Sequence, residues 1–531
     1  MLKVENLKLA PEEPLSALTA HAARALKLRE RDILSLKVLR RSVDAREDVK
    51  LVYTAAVEAA DEAAVLRRLR SSPRVSVYTP APAYRAPGPF PAPEVPPVVV
   101  GAGPAGLFAA LVLARAGLRP ILLERGRSVE RRQQDVERFW STGQLDVTSN
   151  VQFGEGGAGA FSDGKLNTGT KDPRHRFILE QFVSCGAPED ILIDAKPHIG
   201  TDRLHIALQN LRKELLDLGA DIRFESRLTD LRAADGHLEA VTVEGPEGTY
   251  TLPCRHLVLA LGHSARDTFA MLHSRGVPME AKPFAVGVRI EHRQSDVDAA
   301  QYRQYAGSPS LPVSSYKLSC HLPNGRAAYS FCVCPGGQVV AAASEDARLV
   351  TNGMSEFARD GENINGGFLV NVTPEDFGGS GPLAGVEFQR RLEEAAFALG
   401  GSDFRAPCQR VEDFLARRPS VRTGRVKPTY RPGVVMTDLH LCLPPFLTET
   451  LEAALPVLGR KLKGFDDPDA LLTAVETRSS SPVRLPRDET GQSALRGLYP
   501  CGEGAGYAGG ILSAAADGMR IAEQICHSYQ P

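Results

Sequence analysis

The feature that most constrains the fold is a glycine-rich turn directly after a short apolar run near residue 100. The run is Val98–Val100, the turn is Gly-Ala-Gly-Pro-Ala-Gly, and the apolar segment LFAALVLARAGL comes next. A second apolar run then ends in Glu124, 18 residues beyond Gly106. Strand, glycine turn, helix, strand and terminal acid in this order predict a Rossmann-type dinucleotide-binding unit.

The glycines and the helix start of this unit each have a physical role. Gly101 permits the tight turn, Gly103 lets a pyrophosphate approach the backbone, and Gly106 allows close packing of helix on strand. A helix that begins at Pro104 and Ala105 presents free N–H groups and the positive end of its dipole to phosphates. These residues are predicted to bind the diphosphate of a dinucleotide.

The acid that ends the second strand extends the predicted site. Glu124 is placed to accept hydrogen bonds from ribose hydroxyls, and Arg125 adjoins it. The glycine pattern recurs at residues 154–159, but the sequence AFSDGKLNTGT that follows is not helical, so no second dinucleotide unit is predicted. We expect this second loop, including Gly157, to bring its backbone against the cofactor.

A segment near the C-terminus decides between FAD and NAD. It reads GLYPCGEGAGYAGG and precedes the helical sequence ILSAAADGMRIAEQI, as in the returning strand and helix of flavoprotein Rossmann domains. Gly502 and Glu503 are expected at the ribityl chain, and Gly509 and Gly510 let the backbone close on the isoalloxazine ring. The helix from Ile511 would point its positive end at that ring. These residues favour FAD.

A second flavoprotein feature supports this assignment. The strand-like RHLVLALG ends in Gly262, and residues 221–252 before it have the pattern of an antiparallel meander. In this order the pieces match a glutathione-reductase-like FAD fold in which a long cap precedes the final motif.

The N-terminal region is predicted to be a separate small unit. Alternating and helical segments follow the order βαββαβ, which is typical of a ferredoxin-like fold. A stretch with eight prolines follows and should behave as a semi-rigid spacer. The predicted class is α/β, with a ferredoxin-like α+β domain before a Rossmann-type FAD domain that carries an inserted α+β cap. The expected bounds are 1–84 for the first domain, 85–97 for the linker, 98–270 and 476–531 for the FAD domain, and 271–475 for the cap.

Long segments of the chain resemble a bacterial family of FAD-dependent dehydrogenases, the NAD(FAD)-utilizing dehydrogenase-like proteins, whose substrate is unassigned. The resemblance extends over nearly the full length and implies bound FAD and the same order of domains, without implying a substrate. The segments are RRSVDARED at 40–48, ERFWSTGQLDVTSNVQFGEGGAGAFSDGKLNT at 137–168, YSFCVCPGGQVVAAASE at 329–345, TNGMSEFARDGENINGG at 351–367 and ETRSSSPVRLPRD at 476–488.

Two basic residues are the candidates for chemistry. Lys165 follows the second glycine loop, where a cation near the flavin would favour the anionic reduced state, and a surface position is the alternative. Arg478 lies where the cap re-enters the FAD domain and would supply a fixed charge or a structural salt bridge. The predicted activity is hydride transfer between non-covalently bound FAD and a small-molecule substrate. With one dinucleotide unit, NAD(P)H would visit transiently or be replaced by another donor.

Two alternatives stay open. Cys332 and Cys334 form a C-x-C pair that could act as a thiol–disulfide reductase, although two buried thiols on one strand are favoured. Basic residues of the N-terminal domain, Arg40 and Arg41 among them, could bind RNA, a protein or an electron-transfer partner, with FAD in a structural or sensing part. A solvated or salt-bridged face is favoured there.

Composition excludes several classes of function. A net charge of −1 gives no overall attraction to nucleic acid or anionic lipid. No apolar run approaches about 18 residues, so membrane insertion is not expected, and the first residues lack a secretory pattern. Nine scattered cysteines favour reduced thiols in a cytoplasm. No ligand spacing predicts a metal site.

Overall fold

The N-terminal sheet confirms the ferredoxin-like prediction. The structure, a computed structural model, describes residues 1–70 and 72–530. The first elements are β1 (Leu2–Leu9), α1 (Leu18–Leu26), β2 (Ile33–Asp44), β3 (Lys50–Ala59), α2 (Glu62–Arg68) and β4 (Val75–Val77). The four strands are antiparallel in the order β2-β3-β1-β4, which is the ferredoxin-like order.

A parallel sheet forms the centre of the Rossmann-type part. The apolar strands at its centre are buried, as expected where helices cover both faces of a sheet. The elements are β5 (Val98–Val100), α3 (Pro104–Arg115), β6 (Ile121–Leu123), α4 (Val129–Thr142), α5 (Arg174–Ser184), α6 (Thr201–Asp217), β7 (Asp221–Arg223), β8 (Arg227–Ala234), β9 (His237–Gly245), β10 (Gly248–Pro253), β11 (Leu257–Leu259) and α7 (Arg266–Ser274).

The antiparallel meander is shorter than the sequence predicts. It consists of β8, β9 and β10, whereas β7 pairs in parallel with β6 and belongs to the central sheet. The prediction that the meander begins at Asp221 is therefore wrong. A strand of only three residues is too short for its sequence pattern to indicate which sheet it belongs to.

The inserted cap contains a seven-stranded sheet, which we call the cap sheet. Its strand order is β14-β15-β18-β13-β21-β19-β20. The elements are β12 (Glu280–Ala281), β13 (Phe284–Arg293), α8 (Gln294–Tyr302), β14 (Ser319–His321), β15 (Ala327–Cys334), β16 (Gln338–Ala341), β17 (Thr351–Met354), β18 (Asn363–Val372), α9 (Ala384–Leu399), β19 (Ala406–Arg410), α10 (Val411–Leu415), β20 (Val434–Met436), α11 (Pro445–Lys461) and β21 (Leu471–Glu476).

The chain then returns to the parallel sheet. The last elements are β22 (Val483–Arg484), β23 (Leu498–Pro500) and α12 (Ile511–His527). β23 completes the order β23-β11-β5-β6-β7, and one hydrophobic core runs without interruption from this sheet into the cap sheet. No helix in the described residues is both long enough and apolar enough to cross a bilayer.

Part of the N-terminal basic surface is used inside the molecule. Arg41 Nε lies 2.7 Å from Asp194 Oδ1, and Arg41 also pairs with Asp190, so β2 is fastened to the Rossmann-type part. Arg46, two residues beyond the end of β2, pairs with Asp44. These pairs favour a salt-bridged face over an RNA-binding surface.

Candidate functional site

The glycine turn after β5 is closed on one side and open on the other. A Cβ on Gly101 would lie 2.3 Å from the Ala260 carbonyl oxygen, and one on Gly106 would lie 1.8 Å from that of Gly101. A Cβ on Gly103 would meet nothing nearer than the Cα of Gly157, at 3.8 Å. Gly101 and Gly106 therefore serve packing, whereas Gly103 leaves room for a ligand where α3 begins.

Three further glycines leave open space along the same edge of the sheet. Gly262 follows β11, Gly509 and Gly510 precede α12, and a Cβ on any of them would meet no atom within 4 Å. The strands β23, β11 and β5 are neighbours, so the segments that follow them lie side by side. Open α/β sheets bind ligands at this carboxyl edge. We call the positions Gly103, Gly262, Gly509 and Gly510 the glycine edge.

Close helix packing holds two helix N-termini at the glycine edge. A Cβ on Gly518 of α12 would lie 2.0 Å from the carbonyl oxygen of Ala105 in α3, so the two backbones touch. α3 begins at Pro104, whose missing N–H costs nothing there, and α12 begins at Ile511. Two positive helix ends are thereby presented at one edge of the sheet.

Glu124 lies at the predicted position, and its carboxylate holds three loop segments together through hydrogen bonds. Its carboxylate accepts hydrogen bonds from the backbone N–H groups of Ala102 at 2.8 Å, Gly126 at 2.9 Å and Gly154 at 2.9 Å. A carboxylate has about four acceptor positions, so about one remains for a ribose hydroxyl. The structure thus adds a loop-fixing role, and the ribose contact stays a prediction.

Arg125 is held rigidly beside Glu124. Its guanidinium lies 4.3 Å from the centre of the Phe153 ring and donates to Asp267 and Thr268 on α7. The side chain therefore joins the second glycine loop to α7, and contact with the cofactor stays a prediction.

The segment after β23 contains a network that sequence reasoning missed. The Gly502 N–H donates to Asp517 Oδ2 at 2.8 Å, and Asp517 pairs with Arg487. Glu503 Oε1 lies 3.6 Å from Nδ1 of His263, whose buried Nε2 lacks a hydrogen-bond partner. The position of His263 directly after Gly262 was the only signal in the sequence. Both Glu503 and His263 can contribute polar groups to a ligand.

The second glycine loop connects the glycine edge with the cap sheet. It forms a 3-10 helix at Gly157–Phe161 rather than an α-helix, as expected for a loop outside a dinucleotide unit. Gly157 lies against Gly103, and a Cβ on Gly159 would lie 3.0 Å from Cγ1 of Ile511. Beyond it, Lys165 Nζ donates to the carbonyl oxygen of Val333 in β15.

Lys165 has a carboxylate partner. Its Nζ lies 3.2 Å from Oδ2 of the buried Asp163, which also accepts from Arg359 and Ser355. Burial alone would lower the pKa of Lys165, but Asp163 raises it above its ordinary value on balance. Lys165 is therefore a fixed cation between the second glycine loop and the cap sheet.

Arg478 lies in a buried ion network. Its guanidinium donates to Glu393 of α9 at 3.0 and 3.1 Å, and Arg266 of α7 donates to the same carboxylate at 2.7 and 2.8 Å. Thr477 adds a further hydrogen bond to Glu393. The network joins the cap to the Rossmann-type part, which matches the salt-bridge alternative, and a catalytic role for Arg478 stays a prediction.

The described residues fit FAD at the glycine edge. The open position at Gly103, together with the free N–H groups at the start of α3, suits a diphosphate. The open positions at Gly509 and Gly510, before α12, suit a planar ring that approaches backbone. Glu503 and the unpartnered nitrogen of His263 add polar atoms that can bind the cofactor at this edge.

Family profiles match three parts of the chain. Residues 283–479 match "FAD-dependent protein, C-terminal domain-like", residues 94–135 match an FAD binding domain, and residues 1–58 match a domain of unknown function. Among solved structures, the quinol fumarate reductase of E. coli is 14% identical, with a TM-score of 0.38 over 83% of this chain and 71% of that one. Glycine oxidase from Bacillus cereus is 12% identical, with a TM-score of 0.30 over 82% of this chain and 96% of that one.

A full-length relative decides the family. A protein of Clostridium beijerinckii, described as uncharacterized, is 44% identical over 532 residues, which cover 99% of each chain. The profile over the Rossmann-type part describes an FAD binding domain, and the profile over the cap describes an FAD-dependent protein. The chain therefore belongs to the family of this Clostridium protein and is an FAD-dependent protein.

Proposed function

We propose that FAD binds non-covalently along the glycine edge and that hydride passes between it and a small-molecule substrate held under the cap sheet. The observation that carries this proposal is the row of open positions at Gly103, Gly262, Gly509 and Gly510, beside two helix N-termini. When bound, FAD supplies the two-electron chemistry.

The residues of the chain have distinct parts in this proposal. The N–H groups at the start of α3 bind the diphosphate, and Glu124 and Arg125 bind the adenosine end. Glu503 accepts from the ribityl chain. The start of α12 stabilises negative charge on the reduced ring, and the cap sheet excludes water from it.

Lys165 and Arg478 have different roles in the proposed function, one electrostatic and one structural. Lys165, kept protonated by Asp163, supplies a fixed positive charge that favours hydride acceptance. Arg478, engaged by Glu393, is a positioning residue that holds the cap in place over the ring.

Anaerobic reduction tests the redox proposal. We expect NADH or NADPH, visiting the site transiently, to bleach the visible absorption of the oxidised flavin in the purified protein. The control is dithionite, which reduces accessible flavin without a nucleotide site. Flavin that dithionite bleaches but neither nucleotide does would remove NAD(P)H from the proposal and leave a reduced substrate as donor. Flavin that resists dithionite would contradict a redox role.

A further inference from the structure

The C-x-C segment has an unusual backbone at the end of β15. Phe331 pairs with Gly367 and Cys334 pairs with Asn365 of β18, so a β-bulge lies between Phe331 and Cys334. Cys332, inside the bulge, has a φ of +40°, in the left-handed region that disfavours side chains. Strained backbone of this kind concentrates at functional sites.

The bulge gives the two thiols different surroundings. Cys334 is fully buried, whereas Cys332 is partly exposed. The Cys334 thiol donates a hydrogen bond to the carbonyl oxygen of Cys332 at 3.3 Å, so the two residues are in direct contact. One reachable thiol beside one buried thiol is the arrangement that a dithiol needs, because the first attacks an external sulfur and the second resolves the product.

Two cations lie against this pair. Arg289, fully buried, donates to the Cys332 carbonyl oxygen at 3.1 Å, and its guanidinium is 3.8 Å from the Cys334 sulfur. Lys165 donates to the carbonyl oxygen of Val333, the residue between the two cysteines. Arg289 Nε also lacks a hydrogen-bond partner. The site is therefore electropositive, which is the setting of reactive thiols.

The charges of the cluster leave room for one more anion. The cluster holds three cations and two carboxylates, namely Lys165, Arg289, Arg359, Asp163 and Glu476. A thiolate on Cys332 would balance the excess positive charge. Hydrogen bonding from Cys334, together with Lys165 and Arg289, lowers the pKa of Cys332 against the effect of burial, whereas hydrogen bonding and burial raise the pKa of Cys334.

The pair is connected to the glycine edge by one short loop. Gly157 lies against Gly103, Gly159 lies against Ile511 at the start of α12, and Lys165 contacts β15. The nine residues from Gly157 to Lys165 thus extend from the glycine edge to the C-x-C segment.

We propose that Cys332 and Cys334 form a redox-active dithiol and that the substrate of this site is a small disulfide. The inference rests on the proposed function, since the cofactor site must return electrons to the pair. It extends that function by naming the substrate class.

Disulfide exchange at the pair takes place in two steps. The Cys332 thiolate attacks one sulfur of the substrate, whose S–S bond breaks, and the departing thiolate takes up a proton. Cys334 then loses its proton and attacks the Cys332 sulfur, which releases the second substrate thiol and forms the Cys332–Cys334 bond. One hydride equivalent from the reduced cofactor site, supplied by a pyridine nucleotide, breaks that bond and restores one thiolate and one thiol.

Counting electrons in the FAD-loaded protein tests the inference. The protein is first treated with oxidised glutathione, freed of the excess, and titrated anaerobically with dithionite. We expect wild type to take up two more electrons per FAD than the double variant Cys332→Ser/Cys334→Ser, because a disulfide is a two-electron couple. Cys320→Ser, in a neighbouring strand of the same sheet, is the control and should match wild type.

The possible results distinguish a failure of the dithiol inference from a failure of the proposed flavin function. Bound FAD with equal electron uptake in wild type and the double variant would overturn the dithiol and leave the flavin function standing. Protein that holds no FAD would overturn the flavin function itself.

A second readout on wild type needs neither flavin nor a folded variant. Cleavage after Arg326 and Arg348 releases one peptide that contains both Cys332 and Cys334 and no other cysteine. After treatment of the native protein with oxidised glutathione, we expect this peptide to be lighter by two hydrogen atoms. In wild type, alkylation of Cys332 should follow a pKa below the ordinary value of a thiol, because Cys334, Lys165 and Arg289 lower it. Two free thiols after treatment would overturn the inference.

Discussion

Replacing Gly103 by alanine is expected to remove most of the affinity for FAD while the protein stays folded. The φ of −76° at Gly103 accommodates any residue, and the new Cβ would meet only the Gly157 Cα at 3.8 Å. The methyl group would instead occupy the space of the diphosphate. Crowding of this kind costs about 1–3 kcal/mol, or roughly 5- to 150-fold in Kd. Titration of the apoprotein with FAD measures it.

Two other glycines serve as controls for this variant. Gly379 also has an ordinary φ and a nearest Cβ contact of 3.8 Å, to Ala384, but lies away from the glycine edge, so Gly379→Ala should bind FAD as wild type does. Gly106→Ala should instead disrupt folding, because its Cβ would lie 1.8 Å from the carbonyl oxygen of Gly101. Wild-type affinity in Gly103→Ala would show that the diphosphate does not bind at this turn.

Replacing Glu393 by alanine is expected to produce a large loss of stability. The substitution leaves Arg266 and Arg478 buried without their shared carboxylate. Removing one partner of a buried ion pair costs about 3–5 kcal/mol. Equilibrium unfolding in urea measures the change. The adjacent Glu394→Ala is the matched control, since its exposed pair with Arg348 should contribute less than about 1 kcal/mol.

The same network predicts an acid dependence of stability. Burial alone would raise the pKa of Glu393, but Arg266 and Arg478 lower it far below its ordinary value of 4.5. A carboxylate with a lowered pKa in the folded state contributes stability that is fully present above pH 4.5 and is lost as the pH falls below it. Wild type should lose this contribution in acid, and Glu393→Ala should lack it at every pH. A stability difference between the two proteins that stays constant below pH 4 would contradict the assignment.

The parts of the site that the sequence predicts well are those fixed by local backbone chemistry. Gly101 and Gly106 are required because any side chain would strike a neighbouring carbonyl, and such requirements appear as a short motif. The sequence also predicts the ferredoxin-like sheet, because four alternating strands and two helices in a fixed order are compatible with few chain topologies.

Contacts between distant segments could not be predicted. Arg266, Glu393 and Arg478 come from three separate parts of the chain, and no local pattern predicts their contact. The sequence therefore leaves both a fixed charge near the ring and a structural salt bridge open for Arg478. The β-bulge that separates the environments of Cys332 and Cys334 depends on pairing with β18. A regular strand would have placed both thiols in similar surroundings.

The most direct test of the account is the identity and amount of the chromophore released when the purified protein is denatured. We expect FAD, released without a covalent bond, at about one molecule per chain after reconstitution. A protein that carries no flavin and takes up no added FAD would contradict the central claim.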